Sequence, residues 1–334
     1  MIKLSVLFGY ITMSIIFSII SFKVKHLKTI LLFITLLLFS QYSKAGFVEF
    51  NHFGDNPGAL KASYYAPKMA DKNNTPPPLV VLLHGCAQQA ETLSQQSGLL
   101  ALAKQHKFAL LLPQQDVSNN IKRCFNWYSA EDFTKDKGET LSIKNMITML
   151  KQKTASDRVY IIGLSAGGAM ASSMLVNYPD LFTAGAVVAG IPFPCADGLI
   201  TGISCMRNGP SQTVKEFVTL IKTITPNQAH WPKLSVWTGE NDGIVNPLNA
   251  TMLAEQWALL SKVTAKPNID KQIGYSITRW QSDYEETQVE LIEVKDRDHG
   301  IMVNPNVEHG GEVSDYVLAA PLSTAKHVVE FWGL

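Results

Sequence analysis

The chain has 334 residues, of which 46% are hydrophobic and 17% are charged, and its formal net charge is +1. Partners such as nucleic acids require Lys and Arg clustered on one face, and the basic residues here are scattered. We therefore expect no nucleic-acid or acidic-polymer partner, and a chain of this composition is long enough to bury a substantial core.

The first 45 residues differ from the rest of the chain. A basic patch at residues 23–28 precedes the apolar run TILLFITLLLF, and the small residues Ser43 and Ala45 follow. This order is typical of a secretory signal peptide, with cleavage expected after Ala45. A second apolar run, VLFGYITMSIIFSII, lies upstream, so either translation starts at Met13 or the segment is retained as a membrane anchor. We expect secretion to the periplasm or the extracellular space. Membrane association, through the N-terminus only, belongs to the alternative in which the anchor is retained.

All four cysteines lie after this segment. An even number of cysteines in an exported chain favours disulfides. We pair Cys195 with Cys205 because they are near in sequence, which leaves Cys86 to pair with Cys124. Four cysteines allow three connectivities, and buried free thiols are the alternative. The sequence contains no C-x-x-C or H-E-x-x-H spacing, so we expect no metal site.

From Leu79 onwards, predicted strands and helices alternate. The apolar runs PLVVLLHG, FALLLPQQ, RVYIIGLS, AGAVVAGIPF, KLSVWTGEND and QVELIEVKD indicate strands, and segments such as ETLSQQSGLLALAKQHK carry apolar residues at helical spacing. This alternation predicts an α/β domain at residues 46–334, with a mostly parallel sheet covered on both faces. The segment from Cys195 to about Trp231 fits the pattern least, and we interpret it as an insertion or lid over the strand ends.

The stretch GLSAG, at residues 163–167, joins a predicted strand to a predicted helix. A sharp turn at this point would hold Ser165 in a strained conformation, which requires neighbours with almost no side chain. Gly163, Gly167 and Gly168 meet this requirement. A serine hydroxyl is a weak nucleophile and needs a base that is oriented by a carboxylate.

Asp242 and His299 follow Ser165 in the chain order Ser, Asp, His that this kind of site uses. Glu240 could replace Asp242, but Asp242 is followed by the apolar residue Val245, so we prefer Asp242. Three further histidines and two further aspartates are interpreted as surface, helix or solvated loop residues: His106, His230, His327, Asp296 and Asp298.

His309 is the rival of His299 as the base. It lies in a glycine-rich loop, whereas His299 follows a predicted strand closely, so we prefer His299.

An oxyanion site requires backbone N–H groups near the nucleophile. We expect one from Ala166, at the start of the helix, and the other from Cys86, in the loop after the first regular strand. His84 is interpreted as a structural histidine that shapes this loop. Trp127, in the aromatic segment CFNWY, either lines a substrate pocket or packs in the core.

Several motifs together resemble the catalytic domain of extracellular short-chain-length polyhydroxyalkanoate (polyhydroxybutyrate, PHB) depolymerases and related secreted esterases. They are LHGCAQQAETLSQQSG, CFNWY, RVYIIGLSAGGAMASSMLVNYPDLFTAGAVVAG, GENDGIVNPLNA and DHGIMVNP. The resemblance implies an α/β-hydrolase fold, Ser165 as nucleophile, His299 as base, Asp242 as its orienting group and an oxyanion hole that uses the Cys86 loop.

The chain departs from this family in two respects. We expect no linker or polymer-binding domain after FWGL, and EHGGEVSDYVLAA lacks a cysteine often present there. We expect a monomeric serine esterase that needs no cofactor and acts on poly- or oligo(3-hydroxybutyrate)-type esters. A feruloyl or acetyl-xylan esterase is the alternative, and a catalytically idle, membrane-tethered binding protein is a third hypothesis.

Overall fold

The structure is a computed structural model and describes residues 46–67, 76–282 and 284–334. The predicted signal peptide at residues 1–45 lies outside these ranges. Residues Phe47–Leu334 form one compact unit. Within the described part of the chain, every helix is too short or too polar to cross a lipid bilayer.

The described residues form strands and helices in alternation from residue 79 to residue 260. The strands are β1 (Val48–Glu49), β2 (Lys61–Tyr65), β3 (Leu79–Leu83), β4 (Ala109–Gln114), β5 (Val159–Leu164), β6 (Ala184–Val188), β7 (Lys233–Gly239), β8 (Asn268–Gln272), β9 (Tyr275–Gln281), β10 (Thr287–Val294), β11 (Ile301–Val303) and β12 (Val317–Ala319). The helices are α1 (Ala90–Gln96), α2 (Leu99–His106), α3 (Ala130–Phe133), α4 (Gly138–Thr154), α5 (Ala166–Asn177), α6 (Leu199–Asn208), α7 (Val214–Ile224), α8 (Leu248–Leu260) and α9 (Thr324–Trp332).

Ten strands form the central sheet in the order β1-β2-β4-β3-β5-β6-β7-β10-β9-β8. The six central strands, from β4 to β10, are parallel. The strands at both edges are antiparallel to their neighbours. Helices cover both faces, so the predicted mostly parallel, doubly covered sheet is confirmed.

The innermost strands β3, β5 and β6 consist almost entirely of apolar or small residues because both of their faces are buried. Every residue of β3 (LVVLL) and of β5 (VYIIGL) is buried. Helix α5 is also buried at every position and contacts β3, β5 and β6. Its small residues allow the helix to lie close to the sheet, which places its first residues beside the end of β5.

Two features differ from the sequence prediction. The segment predicted as one helix after β3 is broken into α1 and α2 at Gly98, whose φ is 83°. The polar, mostly exposed strand β8 pairs with β9 at the sheet edge, and neither strand was predicted. A strand without an alternating or continuous apolar pattern carries no periodic signal.

The parallel strands bring their carboxyl ends to one edge of the sheet, where ligands bind in such folds. His84 directly follows β3, and Ser165 directly follows β5. Asp242 lies three residues beyond β7, and His299 lies five residues beyond β10. Residues far apart in the chain therefore meet at this edge.

Candidate active site

Ser165 lies in a strained turn between β5 and α5. Its φ is 57° and its ψ is −120°, a combination that residues with a side chain rarely adopt. A Cβ atom added at Gly167 would lie 2.5 Å from the carbonyl oxygen of His84 and closer still to that of Leu83. The glycine therefore allows the helix to start against the end of β3, and the turn presents the serine hydroxyl at the sheet edge.

Three side chains form a hydrogen-bonded chain at this edge. His299 Nε2 lies 2.9 Å from Ser165 Oγ. On the other side of the ring, His299 Nδ1 lies 2.8 Å from Asp242 Oδ2. The imidazole and the carboxylate are buried. A histidine between a hydroxyl and a buried carboxylate can accept the hydroxyl proton, while the carboxylate stabilises the imidazolium that forms.

The loop after β7 fixes the carboxylate of Asp242. Its Oδ1 accepts hydrogen bonds from the backbone N–H groups of Ile244 and Val245, at 2.9 and 2.8 Å. Val245 is buried in an apolar cluster, which anchors the loop. Both carboxylate oxygens are therefore occupied, and Oδ2 is directed at the imidazole.

The rival residues lie apart from this chain of contacts. Glu240 is exposed, and its backbone N–H pairs with the carbonyl of Val294. The ring of His309 lies near the carboxylate of Glu308, and its carbonyl oxygen packs against Gly98. The structure thus brings Ser165, Asp242 and His299 together, the residues preferred from the sequence.

Asp298 is more than the solvated loop charge expected from the sequence. Its Oδ1 accepts hydrogen bonds from the N–H of Gly243 at 3.0 Å and from the N–H of His299 at 2.7 Å. These two bonds lower the pKa of Asp298. The side chain is exposed, but it links the loop that carries Asp242 to the loop that carries His299, and no sequence pattern signals this link.

Two backbone N–H groups belong to segments that meet at Ser165, the loop after β3 and the start of α5. Gly85 lies against the nucleophile, since a Cβ atom added there would lie 3.4 Å from Ser165 Cβ. The next amide along the loop is that of Cys86, and the amide after Ser165 is that of Ala166. Among the described residues, neither N–H has a hydrogen-bond acceptor. Donors of this kind are required where negative charge develops on a carbonyl oxygen.

His84 is buried behind the Cys86 loop, as a structural histidine would be. Its Nδ1 lies 2.7 Å from the carbonyl oxygen of Gly85. Burial lowers the pKa of His84 to about 4, and the charge of Arg123 acts in the same direction, while the hydrogen bond to Gly85 opposes them. His84 is therefore neutral near pH 7.

The structure contains the two expected disulfides, Cys86–Cys124 and Cys195–Cys205. The first ties the loop with the Cys86 amide to the aromatic segment CFNWY. The second links the start of the segment interpreted as an insertion to α6, and this segment forms α6 and α7. This segment borders the Asp242 loop, because the N–H of Asn246 donates to the carbonyl of Met206 at 2.8 Å.

Trp127 belongs to the aromatic segment CFNWY and is half-buried against α6. It packs against the apolar cluster that contains Ala169, one helical turn beyond Ser165. A Cβ atom added at Gly202 of α6 would lie 3.2 Å from the Trp127 ring. The ring therefore has a packing role.

His327, interpreted from the sequence as a surface or helix residue, lies in α9, and its Nε2 is 2.9 Å from Oε1 of the buried Glu290. Residues 46–67, 76–282 and 284–334 contain no group of three or more His, Cys, Asp or Glu side chains placed to hold a metal ion.

The chain is similar to known esterases over most of its length. The family model described as Esterase PHB depolymerase matches residues 60–268. The poly(3-hydroxyalkanoate) depolymerase C of Paucimonas lemoignei is 32% identical, over 90% of this chain and 73% of that protein. The feruloyl esterase B of Talaromyces stipitatus is 29% identical, over 67% of this chain and 64% of that protein.

Among solved structures, the acetyl xylan esterase from Aspergillus awamori matches with a TM-score of 0.70 at 21% identity, covering 86% of this chain and 99% of that one. This likeness supports the fold, and the α/β-hydrolase fold expected from the sequence is confirmed. The family match covers more than half of the chain. The chain belongs to the PHB depolymerase family of esterases and is a carboxylic ester hydrolase.

Proposed function

We propose that residues 46–334 form the catalytic domain of a serine esterase that hydrolyses poly- or oligo(3-hydroxybutyrate)-type esters. The observation that carries the proposal is the hydrogen-bonded chain from Ser165 Oγ through the His299 ring to Asp242. In this assignment Ser165 is the nucleophile, His299 is the general base and Asp242 holds the ring in its productive tautomer.

The reaction proceeds in two halves. Ser165 Oγ attacks the ester carbonyl carbon while His299 Nε2 takes the hydroxyl proton, and the N–H groups of Cys86 and Ala166 bind the oxyanion. The tetrahedral intermediate then breaks its bond to the alcohol oxygen, which leaves with the proton from His299. In the second half, water attacks the acyl-enzyme carbonyl while His299 accepts its proton. The bond from the acyl carbon to Ser165 Oγ then breaks, His299 returns the proton to Oγ, and the acid is released.

The relatives support the proposed substrate class. The depolymerase C named for poly(3-hydroxyalkanoate) matches 90% of this chain, which favours a hydroxyalkanoate ester. Relatives named feruloyl esterase B and acetylxylan esterase A match about two thirds of it, so an acyl ester on a polysaccharide is the second candidate. Trp127 is proposed to line the pocket for either substrate.

We also propose that the protein is secreted after cleavage behind Ala45. The two disulfides support this, because disulfides persist in oxidising compartments. Terminal sequencing of the protein recovered from the growth medium should then begin at Gly46. Recovery of activity only in membranes, with residues 1–45 retained, would instead favour the tethered form.

The function is tested with the mature chain produced in an oxidising compartment. Ser165→Ala should lower the rate on a short p-nitrophenyl ester by about 10⁴-fold or more, since the three side chains act as a unit. The matched control is Ser173→Ala on the same helix, whose hydroxyl donates to the carbonyl of Phe133 at 3.1 Å. Equal rates for the wild type and Ser165→Ala would refute the assignment.

The substrate class requires a second assay. Release of 3-hydroxybutyrate from amorphous polymer and from soluble oligomers is compared with release of ferulate from a feruloylated sugar. The proposal expects the hydroxybutyrate esters to be preferred, and a preference for the feruloylated sugar would favour the second candidate.

A further inference from the structure

The buried carboxyl group of Glu139 lies in the first turn of α4, outside the proposed triad. Three N–H donors converge on it. The backbone N–H of Asn126 donates to Oε2 at 2.8 Å, and the amides of Gln115 and Asn119 donate to Oε1 at 2.5 and 3.4 Å. The residue has no exposed surface. A buried carboxyl group is costly unless its oxygens are hydrogen-bonded, so this cluster constrains the positions of its donors.

The environment of Glu139 differs from that of a surface acid. Burial, followed by the nearby carboxyl of Asp132, raises the pKa of Glu139 to about 8, while the hydrogen bonds from Asn126 and Gln115 act in the opposite direction. A glutamate in the first turn of a helix is normally exposed to solvent. Its complete burial among donors therefore calls for a structural reason.

Gln115 connects this carboxyl group to both sides of the Cys86–Cys124 disulfide. Its side-chain Nε2 donates to Glu139 and also to the carbonyl of Cys124 at 3.1 Å. Its backbone N–H donates to Nε2 of His84 at 3.0 Å. Glu139 itself holds the N–H of Asn126, two residues beyond Cys124. Hydrogen bonds thus connect the carboxyl group of Glu139 to both ends of the disulfide-linked loop.

The hydrogen bond from Gln115 decides the tautomer of His84. A backbone N–H can only donate, so His84 Nε2 is an acceptor and the ring proton lies on Nδ1. Nδ1 then donates to the carbonyl oxygen of Gly85, at 2.7 Å. The ring is neutral near pH 7 because burial lowers its pKa to about 4.

This last bond helps to set the direction of the Cys86 amide, together with a longer bond of 3.3 Å from the N–H of Gln88 to the same oxygen. A trans peptide group is planar, with its C=O and N–H on opposite sides. When the Gly85 oxygen is held by His84, the Cys86 N–H must point the other way. Gly85 lies against Ser165, so the orientation of this peptide decides whether the Cys86 N–H can bind an oxyanion formed at the nucleophile.

We propose that Glu139 is a positioning residue for the oxyanion hole. It acts on the Gly85–Cys86 peptide through Gln115 and His84. It also acts on the Cys124 side of the loop through Asn126. The inference rests on the proposed function, because it assigns a role in the same reaction. The oxyanion forms only in the transition state, so Glu139 should affect transition-state binding and not substrate binding. An interaction made only in the transition state changes kcat and leaves KM unchanged.

The main variant is Glu139→Gln, which preserves the volume but replaces one acceptor oxygen by an NH₂ group. Whichever way the amide turns, one of the donors now faces another donor. Loss of one oxyanion donor costs about 10² to 10³ in rate, and a misplaced donor should cost less. We expect kcat on p-nitrophenyl acetate to fall about 10- to 100-fold, with KM within about twofold of the wild-type value.

The matched control is Thr140→Val, at the next position of α4. The buried Thr140 hydroxyl lies at hydrogen-bond distance from the carbonyls of Thr134 and Lys137, away from the Cys86 loop. Thr140→Val should lower the thermal midpoint of unfolding, while its kcat stays near that of the wild type. If Glu139→Gln does not fold, Gln115→Met replaces it, because that change removes the side chain joining Glu139 to Cys124.

Hydrogen–deuterium exchange gives a readout that does not depend on activity. Glu139→Gln should speed exchange at residues 85–88 and 124–127, and Thr140→Val should not. Normal kcat in Glu139→Gln, a loss confined to KM, or an equal loss of kcat in Thr140→Val would each overturn the inference. If the wild type hydrolyses no ester, the proposed function fails. The positioning role of Glu139 is then tested by hydrogen–deuterium exchange alone. Faster exchange in Glu139→Gln supports this role, and unchanged exchange overturns it.

Discussion

His84 should make the stability of the fold depend on pH in the mildly acidic range. Its pKa is lowered from 6.5 to about 4 in the folded chain, chiefly by burial. As the pH falls through 6.5, the unfolded chain takes up a proton on this residue and the folded chain does not. The unfolded state is therefore favoured progressively, and the contribution of His84 to stability is complete above pH 6.5 and lost by about pH 4.

The size of the effect follows from the pKa change. One pKa unit corresponds to about 1.4 kcal/mol, so a lowering from 6.5 to about 4 makes the free energy of unfolding about 3 kcal/mol smaller at the acidic end. This is a large fraction of the stability of a typical domain. The protein should therefore be more easily unfolded by urea near pH 4 than near pH 7.

The assay is urea unfolding of the wild type and of His84→Asn at a series of pH values between about 8 and about 4. Asparagine can still donate to the Gly85 carbonyl but does not titrate in this range. Other ionisable groups are the same in both chains, so their contributions cancel. The wild type should lose about 3 kcal/mol more than the variant across the series. Parallel curves for the two proteins would refute the reasoning.

Two further predictions concern the backbone around the triad. Asp298→Ala removes the acceptor shared by the N–H groups of Gly243 and His299. Its kcat should fall about tenfold because the loop that carries the base is less well held. Asp298→Asn keeps an oxygen acceptor and should retain activity, so equal kcat values for the two variants would contradict this role. Gly167→Ala forces a Cβ atom onto the end of β3 and should lower the thermal midpoint strongly, whereas Gly198→Ala, where no atom lies within 4 Å, should not.

Local patterns in the sequence were sufficient to predict the central strands and the turn at Ser165. A continuous apolar run is required by a strand that is buried on both faces, and small neighbours are required by a turn with a positive φ at a serine. The chain order of Ser165, Asp242 and His299 then predicted the three side chains that the structure brings into hydrogen-bond contact.

The helix break at Gly98 and the strands β8 and β9 could not be predicted in this way. The break at Gly98 depends on a distant contact, because the carbonyl of His309 packs against Gly98. Strand β8 is a polar edge strand that pairs with the neighbouring strand β9, so it carries no apolar pattern. A pattern of apolar residues within one segment contains no information about such neighbours.

The sequence by itself determined which segments form the parallel sheet and which hydroxyl lies in the strained turn, because both follow from residue types within a few positions of each other. Only the tertiary structure decided the roles of Glu139 and Asp298, which look like ordinary charged residues in the sequence. The physical reason is that the behaviour of a carboxyl group depends on the donors around it. For Glu139 and Asp298 these donors come mainly from other segments of the folded chain.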